Sequence, residues 1–230
     1  MTSAAARRPP NTRMVVFDFD GTITRPLNGL TTWEMIWAHL GYPLEECAQY
    51  HARYRAGDIT HSEWCNLTLE KFRARNLKRS DLATLAGQLA VLDGFTELIE
   101  ELAGRGIALH IVSGSIGSMI RDVLGARAAK FSSIAANELM FGADGSLTDI
   151  IETMYDFEGK AHYIKLLVAA NECAPTDLLF VGNAGNDSWV AGAGVRTLCV
   201  NPTATDPDDR KSWTASIRDM RDMKQILEHV

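Results

Sequence analysis

Four times in this chain a short apolar run stops at a polar residue, and that pattern limits the possible folds more than any other feature. Met14-Val15-Val16-Phe17 ends at Asp18, Ile107-Ala108-Leu109-His110-Ile111-Val112 at Ser113, Leu178-Leu179-Phe180-Val181 at Gly182-Asn183, and Thr197-Leu198-Cys199-Val200 at Asn201-Pro202. Strands with near-continuous apolar character are those covered on both faces. Between them lie helical patterns: Phe95 to Arg105 with Leu98, Ile99 and Leu102 on one face, Ile116 to Leu124, and Ala161 to Ala170. Alternating strand and helix predicts an α/β fold, a parallel sheet with helices on both faces. Ligands in such folds bind outside the carboxyl ends of the strands. The polar residues that end the runs are therefore the candidate site.

Residues 27–92 break the alternation. They are helical in pattern and rich in aromatics, with turn signals at Gly41-Tyr42-Pro43 and Gly57-Asp58 and no convincing strand. This stretch reads as an inserted helical cap, leaving 13–26 and 93–230 as the core and 1–12 as a disordered tail. Asp144-Gly145, between Leu139 and Thr148, signals a β-hairpin. With 46% apolar and 23% charged residues over 230 positions, the composition is that of one globular core plus an accessory unit.

The net charge of −6 and the lack of long Lys/Arg blocks argue against a nucleic-acid surface. No apolar run approaches the roughly 18 residues of a membrane span, and none follows Arg7-Arg8 as a secretory signal requires. Cys47, Cys65, Cys173 and Cys199 show neither C-x-x-C pairing nor zinc-finger spacing, which points to a reduced, cytoplasmic protein. Oligomeric state is not legible.

Asp18 and Asp20, two apart at a strand end, would face the same way on a regular strand. One carboxylate can act as nucleophile while the other serves as general acid and then base; the plainer alternative is a simple turn. Ser113-Gly114-Ser115 follows a strand and precedes a helix, so it can receive an anion, or Ser113 can be a helix N-cap. Lys160 opens a helix, at the end of the macrodipole that disfavours a cation. An anionic partner would explain its place better than an exposed surface position.

Asp18-Phe19-Asp20-Gly21-Thr22, Ser113-Gly114-Ser115, Lys160 and Gly182-Asn183-Ala184-Gly185-Asn186-Asp187 occur in the order of the four motifs of the haloacid dehalogenase superfamily. The chain resembles that superfamily from Arg13 to Asn201, and its phosphoserine phosphatase-like branch through the helical insertion and hairpin. The resemblance implies a Rossmann-like core and a Mg2+-dependent phosphatase acting on a small phosphorylated metabolite through an aspartyl-phosphate. By it, Asp18 is the nucleophile, Asp20 the general acid/base and a main-chain magnesium ligand, and Ser113, Gly114 and Lys160 hold the phosphoryl group. Asp18, Asp20, Asn183 and Asp187 form the metal set.

Two features adjust that expectation. Many such phosphatases read G-D-G-x-N-D where this chain has Asn183 second, so one negative charge is gone from the metal loop. Asp20 is an acid, which dehalogenases lack at this position, so a phosphomonoester is the expected substrate. A phosphotransferase or phosphomutase using the same residues, or a non-catalytic binding protein weakened at Asn183, are the alternatives.

The acid and cap arginine that clamp phosphoserine in its own phosphatases are not evident. Ile23 to Trp33 holds no acid, Glu34 comes late, and Glu63-Trp64-Cys65-Asn66 stands where the arginine is sought, leaving Arg53 and Arg55 as substitutes. Trp33, Trp37 and Trp64 could cage a quaternary ammonium, though helical spacing favours core packing for the first two. His39, His51 and His61 show no ligand spacing and read as surface or packing residues.

Overall fold

Met14, Val15, Val16 and Phe17 carry no polar side-chain group, so both faces of their strand can be covered once the backbone is paired. In the computed structural model, which describes residues 11–202 and 212–230, they form β1 (Met14–Phe17), central in a seven-stranded sheet. Then follow α1 (Thr32–His39), α2 (Leu44–Ala56), α3 (His61–Ala74), α4 (Arg79–Ala86), α5 (Phe95–Gly104), β2 (Ala108–Ile116) and α6 (Gly117–Leu124). The remainder comprises β3 (Ser133–Phe141), β4 (Leu147–Ile151), α7 (Phe157–Ala170), β5 (Leu178–Gly182), the one-turn α8 (Gly185–Ser188), β6 (Arg196–Val200) and β7 (Ala215–Ile217).

The strand order is β4-β3-β2-β1-β5-β6-β7, parallel except for β4, which folds back on β3. The chain moves outward on one side of β1 through β2 and β3, then crosses to β5 on the other. That reversal opens a crevice beyond the carboxyl ends of β1, β2 and β5, where this architecture binds ligands.

Successive side chains of β1 go to opposite faces. Val15 and Phe17 join α5 and α6 in one apolar cluster, whereas Met14 and Val16 join Ile164 of α7 and Phe180 of β5 in another. A third cluster lies among the first four helices, with Trp33, Trp37, Phe72 and Leu82 packed on Ile116, Met119, Leu139 and Leu147. Thus the helices between 32 and 86 rest on α6 and the β3–β4 hairpin. Trp37 is fully buried against Tyr42, Tyr50 and Phe72, a packing role.

The structure corrects several sequence expectations. β2 does not end at Val112 but continues to Ile116, its pairing with β3 shifting register over Ser113-Gly114-Ser115. The next helix starts at Gly117 with Ile116 as N-cap, so Ser113 is not a helix cap. β3 begins at Ser133, ahead of the expected hairpin, because its first residues pair in parallel with β2. β7 has no apolar run and exists through pairing with β6. The reading of 1–12 as a tail falls mostly on residues outside those described. Among the described residues, no helix is long and apolar enough to cross a membrane.

Candidate active site

Where β1 stops, the Asp18 N–H still donates to the Val181 carbonyl of β5 at 2.9 Å, so Asp18 is held at the sheet edge. The chain then turns back: Thr22 and Ile23 N–H both donate to the Phe19 carbonyl, and Gly21 takes φ +77°. A Cβ at Gly21 would lie 2.3 Å from Asn183 Nδ2, so glycine is needed both for the left-handed turn and for close approach of the β5–α8 loop. Gly21→Ala is expected to cost about 1–3 kcal/mol and to push Asn183 away. Urea unfolding measures the first effect, and a raised magnesium requirement for turnover would report the second.

Lys160, on the first turn of α7, has no exposed surface. Its ammonium donates to Asp18 Oδ1 at 3.0 Å and to Asp187 Oδ1 at 2.5 Å, so the surface reading of this lysine fails. Burial alone would push the ammonium toward its neutral form. The fields of Asp18 and Asp187, with Asp156 beyond, outweigh that and raise its pKa. Gly159 lets α7 start here, since a Cβ there would meet the Met154 carbonyl at 1.5 Å.

The other oxygen of Asp187 accepts from the Asn183 and Ala184 N–H groups at 2.9 and 3.3 Å. Both its oxygens are therefore engaged, tying the β5–α8 loop to Lys160. Asn183 Oδ1 accepts from the Thr22 hydroxyl at 3.2 Å, binding that loop to the first turn.

Asp20 is held from above. The Thr32 hydroxyl and N–H donate to its two oxygens at 2.5 and 3.3 Å, and Ser115 Oγ donates to Thr32 Oγ1 at 2.8 Å. Thr32 is the first residue of α1, so this carboxylate sits against the positive end of a helix. Burial nevertheless raises the Asp20 pKa against the Thr32 and Ser115 hydrogen bonds. Burial, then the nearby Asp187 charge, likewise lifts Asp18 to about 7 despite Lys160.

Ser113, 2% exposed, accepts from the Ser115 N–H at 3.2 Å. The Gly114 carbonyl receives Trp33 Nε1 at 2.8 Å and Asn137 Nδ2 at 2.7 Å, which fixes the turn. Asp156, packed beside Gly114, accepts from Asn186 Nδ2 at 2.6 Å.

Asp18, Asp20, Ser113, Gly114, Lys160, Asn183 and Asp187 thus gather at one crevice. Three carboxylates face one ammonium there. Burial raises the pKa of both Asp18 and Asp20, with the Asp187 charge adding to it at Asp18, and the donors are all hard oxygens. That chemistry fits a divalent cation of the magnesium class, with Asp18 Oδ2, the Asp20 carbonyl and Asn183 Oδ1 as the donors least committed to Lys160.

Residues 15–188 match the haloacid dehalogenase-like hydrolase family. The chain belongs to this family. This haloacid dehalogenase-like hydrolase is similar to a 5'-nucleotidase of Pseudomonas aeruginosa, 28% identical over 247 residues that cover 97% of this chain and 98% of that one. Its fold matches a phosphoserine phosphatase solved as a phospho-aspartyl intermediate analogue, with TM-score 0.74, 19% identity, and coverage of 96% and 99%. It also matches a hydrolase of the same family from Salmonella enterica serovar Typhi, with TM-score 0.78, 17% identity, and coverage of 98% and 73%.

Sequence reasoning missed Thr32, Asn137 and Asp156, polar residues outside the motifs that hold motif residues in place. Asn137 alone carried a signal, an amide directly after the apolar Ile134-Ala135-Ala136 of β3. Glu34 is engaged in a capping box with Thr31. The Arg55 guanidinium lies over the Phe157 ring, 5.5 Å from its centroid. Of the three tryptophans, Trp33 packs on Trp64 and Phe72 while its indole N–H reaches the site.

Proposed function

We propose that this hydrolase is a magnesium-dependent phosphatase of small phosphomonoesters working through an aspartyl-phosphate on Asp18. The observation that carries this reading is the pairing of Asp18 Oδ1 with the buried Lys160 ammonium, which leaves Oδ2 for attack. In the first step Asp18 Oδ2 bonds to phosphorus while the ester oxygen leaves with a proton from Asp20. In the second, Asp20 takes a proton from water as that water attacks the aspartyl-phosphate, freeing phosphate and regenerating Asp18. The raised Asp20 pKa suits the donor role.

Ser113 and the N–H groups around Gly114 orient the phosphoryl oxygens, and Lys160 offsets their charge. Bound magnesium would supply further charge stabilisation between Asp18 and the phosphoryl group. Asp187, with both oxygens engaged, positions Lys160 and the Asn183 loop. Residues 27–92 act as the cap that excludes water, since α1 already reaches Asp20 and Gly114 through Thr32 and Trp33.

A row of rings runs from Trp33, whose N–H reaches the Gly114 carbonyl, through Trp64, His61 and Tyr54 to Phe157, with centroids 5.1 to 6.2 Å apart. Together with the Pseudomonas relative, this puts nucleoside 5'-monophosphates first among candidate substrates, because a base has a face to stack. The test is phosphate release from a panel of nucleoside monophosphates, phosphoserine and sugar phosphates with magnesium. Release without an added acceptor supports hydrolysis over phosphotransfer, and no turnover on any member sinks the reading.

Asn183→Asp should restore a negative charge to the metal loop and lower the magnesium concentration for half-maximal activity by on the order of tenfold. A magnesium titration of both forms checks this. An inactive parent rescued by the substitution would favour the weakened-site alternative.

A further inference from the structure

On α3 and the segment after β4, among the described residues, His61, Cys65 and Glu152 place an imidazole nitrogen, a thiol sulfur and a carboxylate oxygen within 4.8 Å of one another. His61 and Cys65 are four apart on the first turns of α3 and so share one face of the helix. Glu152 directly follows β4, on the segment leading to α7. We propose that these three side chains form a second metal site, for a zinc-class divalent cation, that ties α3 to the segment between β4 and α7.

The distances suit it. His61 Nδ1 lies 3.9 Å from Cys65 Sγ and 3.7 Å from a Glu152 oxygen. Ligands around tetrahedral zinc stand about 3.4–3.6 Å apart, given bonds of about 2.0–2.3 Å, so the two His61 distances close with shifts of a few tenths of an ångström, and the Cys65–Glu152 pair, within 4.8 Å, closes by about 1 Å at most. The ring of His61 is fixed between Trp64, stacked at 5.8 Å, and Tyr54 at 5.5 Å. A preset ring plane lowers the ordering cost of binding.

The donor set selects the metal. Nitrogen and sulfur favour zinc, whereas the all-oxygen crevice favours magnesium, so the two ions sort to different places. Burial lowers the His61 pKa, leaving the neutral ring that a metal requires. Burial, aided by Glu152, lifts the Cys65 thiol to about 12, so binding must displace its proton to solvent as the metal–sulfur bond forms. Glu152 supplies charge, and a solvent water completes the tetrahedron.

The site is independent of the phosphatase reading and is tested by spectroscopy rather than turnover. Cobalt(II) titrated into the full-length protein, with magnesium in excess, is expected to give a thiolate-to-cobalt charge-transfer band and tetrahedral d–d absorption at one equivalent. Zinc should bleach both, with release of one proton per ion in weak buffer. Cys65→Ser should lose the charge-transfer band while Cys173→Ser keeps it. Should Cys65→Ser not fold, Glu152→Gln, at a surface position, should weaken zinc binding by more than the roughly 10–100-fold typical of outer-shell losses. No charge-transfer band in the parent, a band that survives Cys65→Ser, or unchanged affinity in Glu152→Gln each overturns the proposal.

Discussion

Asp18→Asn should lower phosphate release by on the order of 10⁴ to 10⁶-fold, the range seen when a catalytic-unit member is removed, while leaving the protein folded. The amide oxygen of Asn can still accept from Lys160, so the 3.0 Å contact has a replacement. What disappears is the nucleophile. Stability should move the other way. Burial and Asp187 hold the Asp18 carboxyl up near 7 from an unfolded value of 3.8, so the folded state resists its ionisation.

A raised acid pKa means stability present below the unfolded value is lost as pH climbs from that value to the folded one. Without divalent cations, Asp18→Asn should therefore gain stability over the parent from about pH 4 upward, levelling above about pH 7, by up to a few kcal/mol. Urea unfolding across pH with a chelator measures it. Retained phosphate release in Asp18→Asn would refute the nucleophile assignment.

Lys160→Met should have the largest effect on folding itself. The lysine is wholly enclosed between Asp18 and Asp187, and removing it leaves two buried carboxylates facing each other with no cation. Breaking a buried ion pair from one side costs about 3–5 kcal/mol, because the remaining charge loses its compensation. The double variant Lys160→Met/Asp187→Asn should recover part of that, since it removes one stranded charge, and the cost of the double variant less the costs of Lys160→Met and Asp187→Asn singly is the coupling energy. Denaturant unfolding of the parent, Lys160→Met, Asp187→Asn and the double variant gives it. An unchanged midpoint in Lys160→Met would mean that the triad does not hold the site together. Activity should fall as well, by on the order of 10² to 10³-fold, the cost of removing one group that stabilises developing charge.

The motif residues were legible because each ends an apolar run or opens a helix where a polar side chain needs a reason. Asp18 follows Phe17, Ser113 follows Val112, and Asn183 follows β5, so the topology could be laid over them in advance. The supports were not legible. Thr32 is an ordinary residue at a helix start, and only the seating of α1 over β1 makes it the donor to Asp20. Trp33 looks like core by its spacing, and it is core, yet its N–H fixes the Gly114 carbonyl. His61 and Cys65 share a helix face, but their third partner is some ninety positions away in the chain. No local spacing rule reaches that far.

By itself the sequence determined the α/β architecture, the position of the crevice and the residues that converge on it. Hydrophobic periodicity is local, and a parallel sheet with one reversal of strand order leaves few places for strand-end residues to meet. Only the tertiary structure decided how the charges are shared. Lys160 takes one oxygen from each of Asp18 and Asp187, Asp187 spends its other oxygen on the Asn183 loop, and Asp20 is held by a helix from the inserted segment. Those choices depend on burial and on distances of a few ångströms between residues far apart in the chain, the scale on which electrostatic energies are set.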